Sequence, residues 1–366
     1  MKPILSSYQT KNQLKKVMWI TIFWILVSAL QYANGYATLN YFDHDLSGID
    51  ATQFLIGSLI TGLTAGLLGG SSMVFFWEKW LRTKSYRRSL FYILLTYSMV
   101  YILVGIISLM YSYSMQMDVA LFSPVVFANL RQDLENFSFL YSYLFWLVVV
   151  LITLIALLVN DKYGPGVFLD FLMGKYFHPR REARIFMFLD LRGSTAIAEQ
   201  LGEVQYFNFL KEVYKDITPS ILRTQGEVYQ YVGDEIVISW SPKSGYRNTN
   251  VLHCFFDIQE SLLAKSAYYR ANYNGLQPEF KAGLHLGNVM AGEIGVLKRD
   301  IAYSGDVLNT TARIQAKCNE LGVNILISKY LIEFLTPVET KFQPVTMGEY
   351  PLRGKQSNLH LYTLKD

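Results

Sequence analysis

Phe188-Leu-Asp190-Leu-Arg-Gly-Ser-Thr195 closes an apolar run, and after 234 − 190 = 44 residues Tyr231-Val-Gly-Asp234-Glu-Ile-Val-Ile follows. Each string sets one carboxylate at the end of an apolar segment. Residues Arg184 to Leu189 read as a buried strand, and Gly193 turns the chain into a helix that Ser194 or Thr195 is placed to cap. Residues Glu227 to Val232 and Glu235 to Trp240 alternate as a hairpin with Gly233-Asp234 at its tip. If the strands are neighbours, Asp190 and Asp234 meet. Two hard oxygen donors at one point suit Mg²⁺ or Mn²⁺, which takes its other ligands from water and substrate phosphates. Either aspartate alone reads equally well as a helix cap or a turn residue.

A third string, Tyr303-Ser-Gly305-Asp306-Val-Leu-Asn309-Thr-Thr-Ala-Arg313, opens an amphipathic helix, and its Asn309 and Arg313, four apart, share a helix face. Between them lies Gly283-Leu-His-Leu-Gly287-Asn-Val-Met-Ala-Gly292-Glu-Ile-Gly295. In this order and spacing the strings resemble the catalytic domain of class III nucleotidyl cyclases, over about half the chain. Val-Gly-Asp-Glu-Ile alone also resembles the signature hairpin of diguanylate cyclases, a related palm-like fold; Asp190, Asn309 and Arg313 favour class III.

The resemblance implies an α+β, palm-like, ferredoxin-related domain acting as a homodimer with composite sites. Asp190 and Asp234 would hold two metal ions, Mg²⁺ or Mn²⁺, in each site, while Asn309 and Arg313 come from the partner chain. The reaction implied is attack of a ribose 3′-oxygen on the α-phosphorus of the same nucleotide, releasing pyrophosphate. Asn309 would orient the ribose and Arg313 stabilise the α-phosphate charge. Backbone amides of Leu191, Arg192, Gly193, Ser194 and Thr195, with Gly233 at the hairpin tip, would surround the phosphates. Lys355, in Leu352-Arg-Gly-Lys355, resembles the late lysine that reaches the terminal phosphates; it reads equally as a solvated turn residue.

Base choice rests on two further positions. Adenylyl cyclases of the family usually have a lysine four residues before the second metal aspartate and an aspartate or threonine three before the helix glycine; guanylyl cyclases carry Glu and Cys-like residues there. This chain has Gln230 and Ala302. Gln230 both donates and accepts, and no glutamate is present to accept guanine's protons. ATP is therefore the expected substrate, with guanylate or pyrimidine cyclase activity, or a nucleotide-binding membrane receptor that no longer turns nucleotide over, as alternatives.

The N-terminal half differs in kind. Mean hydropathy is +0.20 and charged residues make up 17% of the chain, low for a soluble protein. Four runs, roughly Val17 to Leu39, Phe54 to Trp77, Ser89 to Met110 and Phe139 to Val159, reach the roughly 20 residues that cross a hydrocarbon core. They predict an all-α four-helix transmembrane domain over 1–160, a linker over 161–183 and the cyclase domain over 184–366. Lys11, Lys15 and Lys16 precede the first run, and Lys79, Arg82, Lys84, Arg87 and Arg88 separate the second from the third. The positive-inside rule then puts both termini and the cyclase domain in the cytoplasm. The first run is too long for a cleaved leader and is expected to remain as a span.

The linker segment Val167 to Phe177 keeps helical apolar spacing up to Pro179, as a coupling element or as a helix lying on the headgroups. Gly62, Gly66 and Gly70 form a small-residue stripe for close helix packing, within one chain or between two. The net charge of +4 clusters at membrane edges, which points to lipid and away from nucleic acid. Cys254 and Cys318 fall on cytoplasmic helices, where thiols stay reduced. The short outer loops leave the regulator of the membrane domain unidentified.

Overall fold

The computed structural model describes residues 2–41, 51–77, 86–163, 173–297, 299–336, 342–351 and 358–365. It divides into two compact units, Ser6–Tyr163 and the remainder of the chain.

The first unit is helical: α1 (Lys2–Tyr41), α2 (Ala51–Ser71) running into a π-helical turn at Ser72–Trp77, α3 (Tyr86–Met117), α4 (Pro124–Glu135) and α5 (Phe137–Tyr163). Among the described residues three helical segments are long and apolar enough to cross a membrane: Gln13–Tyr41, Leu55–Phe76 and Phe137–Asn160. The remaining expected run lies in α3, a helix of 32 residues, which is not among these three. Many large apolar side chains, such as Leu26, Leu68, Leu103 and Ile155, point outward, the inverse of a water-soluble bundle.

Inside the unit, Val17, Ile20, Trp24, Val74, Val150 and Leu154 form a buried cluster. Trp24 Nε1 donates to Thr153 Oγ1 at 3.0 Å, satisfying the one polar group of a large apolar side chain. The glycine stripe of α2 packs against α1 of the same chain. A methyl group at Gly62 would stand 2.7 Å from Ile25 Cα, and one at Gly66 would stand 2.7 Å from Thr21 Cα. Small residues here let two backbones approach where apolar solvent offers no hydrophobic drive.

The second unit is α+β. Its elements are β1 (Arg180–Leu191), α6 (Ser194–Arg223), β2 (Glu227–Val232), β3 (Glu235–Trp240), α7 (Pro242–Tyr246), α8 (Asn250–Leu263), α9 (Ser266–Asn272), β4 (Phe280–Ile294), β5 (Asp300–Ser304), α10 (Asp306–Glu320), β6 (Ile325–Ser328), α11 (Lys329–Leu335), β7 (Gln343–Tyr350) and β8 (Leu359–Lys365). The sheet runs β2-β3-β1-β4-β6-β8-β7, with β5 paired to β4. The pairs among β1 to β5 are antiparallel, and β4·β6 is parallel.

Strand alternation divides β1 between two faces. Ile185, Met187, Leu189 and Leu191 enter the main core with Phe209, Ile217, Trp240 and Phe255. Phe186 and Phe188 face the other way, with Val237, Val289 and Val307. Asp190 continues this second face, on which α10 lies.

Gly283 and Gly287, four apart on β4, also point to that face, and they are what lets α10 approach. A methyl group at Gly283 would collide with the Gln315 nitrogen and stand 2.7 Å from both Gln315 Cα and the Thr311 carbonyl. At Gly287 it would stand 2.9 Å from Val307 Cγ2. Cys254 and Cys318 are free and buried, and Cys318 Sγ donates to the Ala282 carbonyl at 3.4 Å.

Residues 164–172 of the linker 161–183 lie outside the described residues. Residues 173–178 form turns, with Phe177 N–H donating to the Gly174 carbonyl at 3.1 Å. The helical spacing predicted for Val167 to Phe177 is not continued there: Gly174 adopts a positive φ of 66°, which breaks helical geometry. Tyr176 is nevertheless 3% exposed, and its carbonyl accepts the Glu293 N–H at 3.0 Å.

Because the atoms facing Gly283 are backbone and cannot swing aside, Gly283→Ala should destabilise the cyclase unit by about 1–3 kcal/mol or more. Thermal melting of the full-length protein should show a drop of several degrees, and an unchanged midpoint would refute this contact.

Candidate functional site

Asp190 lies half-buried one residue before the C-terminal end of β1, and Asp234 occupies the second position of the two-residue turn joining β2 and β3. Gly233 takes the first, with φ +64°. Tyr214, on α6, pins the tip by donating from its hydroxyl to the Gly233 carbonyl at 2.8 Å. Asp190 pairs directly with Glu235 across β1·β3, so the hairpin delivers two carboxylates beside it. Asp190 and Asp234 lie within hydrogen-bonding reach of each other.

Two residues with no evident signal in the sequence support Asp190. Lys281, its register partner on β4, brings Nζ to 3.0 Å from Oδ2. Gln315, on α10, donates from Nε2 to the same oxygen at 2.8 Å. Both are more than nine-tenths buried. Periodicity identifies each as inward-facing, but their common target emerges only from strand register and the closeness of α10.

The electrostatics follow from this crowding. Burial, outweighing Lys281, raises the Asp190 carboxyl above its ordinary range, and Asp234 adds to the rise. Glu235 is pushed up to about 7, first by burial and then by the charges of Asp190 and Asp234. Glu235 is a further residue that the two-aspartate reading missed, although its adjacency to Asp234 in a strand of known alternation was a usable signal.

Helix α6 begins differently from the expectation. The N-cap is Gly193, left-handed at φ 65°, ψ 23°, and no side chain caps the helix. Ser194 already belongs to the first turn and its hydroxyl bonds Tyr206 instead. Of the five amides proposed to face phosphate, that of Arg192 is engaged, donating to the Glu279 carbonyl at 2.8 Å; its guanidinium donates to the Val323 carbonyl at 2.7 Å. Leu191 is buried, while Gly193 and Thr195 are exposed and Ser194 half-buried. The uncapped first turn thus presents its donors at a site of positive helix potential.

Asn309 and Arg313 sit elsewhere. The buried face of α10 carries Val307, Thr310, Thr311, Ile314, Gln315 and Cys318. Arg313 precedes Gln315 by two residues, a turn of about 200° around the helix. While Gln315 reaches Asp190, Asn309 is exposed and Arg313 half-buried on other faces. One chain therefore brings Asp190 and Asp234 together and turns Asn309 and Arg313 away from them.

Gln230 is exposed and stands opposite Val237, on the Asp190 face, because a bulge interrupts β2 between Val228 and Gln230. Ala302 pairs with Gly292 on β4, while Tyr303 pairs with Ala291, so the two neighbours point to opposite faces and Tyr303 shares the face of Phe186. Lys355 lies outside the described residues.

Among the described residues no group of three or more His, Cys, Asp or Glu side chains is arranged to enclose a metal ion. An open pair of carboxylates, offering hard oxygen donors, fits a cation that completes its shell with water and phosphate.

Residues 178–366 match the family model of the adenylate and guanylate cyclase catalytic domain. Adenylate cyclase 2 of Rhizobium meliloti (strain 1021) is 35% identical over 209 residues, which are 57% of this chain and 57% of that protein. An adenylate cyclase of Anabaena cylindrica is 26% identical over 185 residues, 49% of this chain and 36% of its own. The chain thus spans little more than half the length of the first relative and about a third of the second. A bacterial light-regulated adenylyl cyclase has the same fold, with a TM-score of 0.51, 20% identity and coverage of 59% of this chain and 64% of that one. Through its second unit, the chain belongs to the adenylate and guanylate cyclase catalytic domain family.

Proposed function

We propose that the protein is a membrane-bound adenylate cyclase, active as a homodimer, that converts ATP to 3′,5′-cyclic AMP and pyrophosphate. The observation that carries this reading is the convergence of Asp190 and Asp234 at the end of β1 and the hairpin tip. Family membership supports the reaction class, and the 35% identity to an adenylate cyclase supports adenine over guanine. The exposed apolar helices favour four spans, α3 included, and the basic residues before the first run and between the second and third favour a cytoplasmic cyclase unit and cytoplasmic termini.

In this reading the 3′-oxygen attacks the α-phosphorus, the bond to the bridging oxygen of the β-phosphate breaks, and pyrophosphate leaves. Divalent metal ions, when bound at Asp190 and Asp234, supply activation of the 3′-hydroxyl and charge neutralisation at the α-phosphate. Lys281 and Gln315 hold Asp190 Oδ2, which fixes the direction in which the other oxygen is offered. The first-turn amides of α6 receive the terminal phosphates. Arg313 and Asn309 of the partner chain would stabilise the α-phosphate charge and orient the ribose. Their outward aspect on α10 supports a site completed by a second chain, and the two-fold axis of a homodimer would make two such sites.

The test of activity is incubation of the purified full-length protein with Mn²⁺ and each of ATP, GTP, CTP and UTP, with products identified by mass spectrometry. Cyclic AMP should dominate and disappear in Asp234→Ala; another cyclic nucleotide as main product would move the substrate, and none would remove the enzyme. Asp190→Ala and Arg313→Ala chains should each be inactive alone and recover activity when co-expressed. Absence of recovery would refute the composite site.

Gln315→Leu leaves Asp190 with Lys281 alone, so kcat/KM should fall about tenfold and half-maximal Mn²⁺ should rise, as expected for loss of a hydrogen bond to a charged group. Titration of Mn²⁺ against nucleotide turnover reads both. The Glu235 carboxyl binds its proton more tightly folded than unfolded, so it contributes stability below about pH 4.5 that is lost as pH rises to about 7. Asp190 shifts in the same direction. Melting of metal-free protein should therefore occur at lower temperature at pH 7.5 than at pH 5, and Glu235→Gln should flatten that slope; an equal slope in the variant would contradict the assignment.

A further inference from the structure

A cluster of side chains around Arg184 and Tyr303, on the Asp190 face, takes no part in the chemistry above. Arg184, on β1, is 7% exposed. It pairs with Glu182 at 2.9 Å and with Glu227, at the start of β2, at 2.7 Å. Its guanidinium lies 5.2 Å from the centroid of the Tyr303 ring on β5. The Tyr303 ring lies 4.9 Å from that of Tyr229 on β2 and 5.7 Å from that of Phe186. Tyr303 N–H donates to the Tyr229 hydroxyl at 3.2 Å. The Tyr303 phenol is held above its ordinary range by burial, so it stays neutral over Arg184.

Tyr229 is the residue that the β2 bulge inserts: Val228 pairs with Ile238, and the next pair is Gln230 with Val237. Paired positions share a face, and Val237 lies on the Asp190 face. Without the bulge Tyr229 would oppose Val237 and Gln230 would oppose Ile236, which belongs to the main core face. A one-residue change of register flips a side chain to the opposite face. Bulges are used next to active sites to re-aim a side chain in this way. Gln230 is itself exposed, so its aspect depends on the backbone, and the backbone is held here by Tyr229.

We propose that Arg184, Tyr229 and Tyr303 form a clamp that fixes the β2 bulge and thereby sets the direction of Gln230 toward the nucleotide base, making them positioning residues for base selection. This rests on the cyclase reading given above. Arg184 ties β1 to the start of β2 through Glu227 and supports the Tyr303 ring. Tyr229 joins the bulge to the β5 backbone. Selectivity then belongs to the clamp together with residue 230, and replacement of residue 230 is effective only while the clamp holds.

The test is a double-mutant cycle read on the ratio of kcat/KM for GTP to that for ATP, in the full-length protein. Gln230→Glu, which supplies an acceptor for guanine's protons, should raise the ratio in the wild-type background. In Tyr229→Phe, which keeps the ring and loses the acceptor for Tyr303 N–H, the same replacement should raise it less, by roughly three- to tenfold, the scale of one hydrogen bond. Half-maximal Mn²⁺ for ATP turnover should be unchanged by Tyr229→Phe. Arg184→Lys, which retains the charge but not the flat guanidinium against the ring, should narrow the Gln230→Glu effect in the same sense and guards against a folding defect in the first variant.

An equal Gln230→Glu shift in all backgrounds, within twofold, overturns the clamp and leaves the cyclase reading intact. So does a Gln230→Glu replacement that does not move the ratio in the wild type. No cyclic nucleotide from the wild type overturns the cyclase reading and the clamp with it.

Discussion

Helix α10 rests on β4 with no side chain between them at Gly283, and the arrangement of the site depends on that contact. The backbone of Gln315 and the carbonyl of Thr311 occupy the space a methyl group would need. Close approach brings the Gln315 amide within reach of Asp190. It also fixes the rotation of the helix, because Val307, Thr310, Thr311, Ile314 and Cys318 must all be buried. With the inner face assigned, the outward position of Asn309 and Arg313 is settled by helical geometry alone. Two glycines on a strand thus determine which residues serve the site from within the chain and which are offered outward.

The carboxylates pull against this packing. Asp190 and Glu235 are partly buried beside Asp234, and Lys281 is the cation in contact with Asp190. One ammonium faces three acids, and burial, with the neighbouring carboxylates adding to it, raises the proton affinity of Asp190 and Glu235. Such crowding is costly for a fold and useful for holding polyvalent cations, a common compromise where stability gives way to function.

Much of this was legible in the sequence. The hairpin Glu227 to Trp240 and the start of α10 follow from apolar alternation, Gly233-Asp234 and Gly305, since each depends on local chemistry. The meeting of Asp190 with Asp234 was legible because each closes an apolar strand. Lys281 and Gln315 were not, because a buried polar residue on a strand and another on a helix carry no mark of their common target. The bulge at Tyr229 was also hidden, since Val-Tyr-Gln-Tyr-Val alternates well enough to conceal an inserted residue. The cap of α6 was misread for a related reason: Gly193, Ser194 and Thr195 are all competent near a helix start, and the left-handed φ of Gly193 decided it. Gly62 and Gly66 announced close packing, but only the structure identified α1 as the neighbour.

The turn that precedes β1 is clasped before the sheet begins. The Tyr176 carbonyl is bonded to Glu293, Pro179 lies over Gly292, and Arg180 pairs with Ala291. These are consecutive residues near the end of β4, the strand that carries β5, and β5 leads through Gly305 into α10. There is consequently no slack between the point of entry and the hairpin arm. A displacement at Tyr176 would therefore reach Asn309 and Arg313 through one hydrogen bond to Glu293 and then along the chain by way of β5 and Gly305.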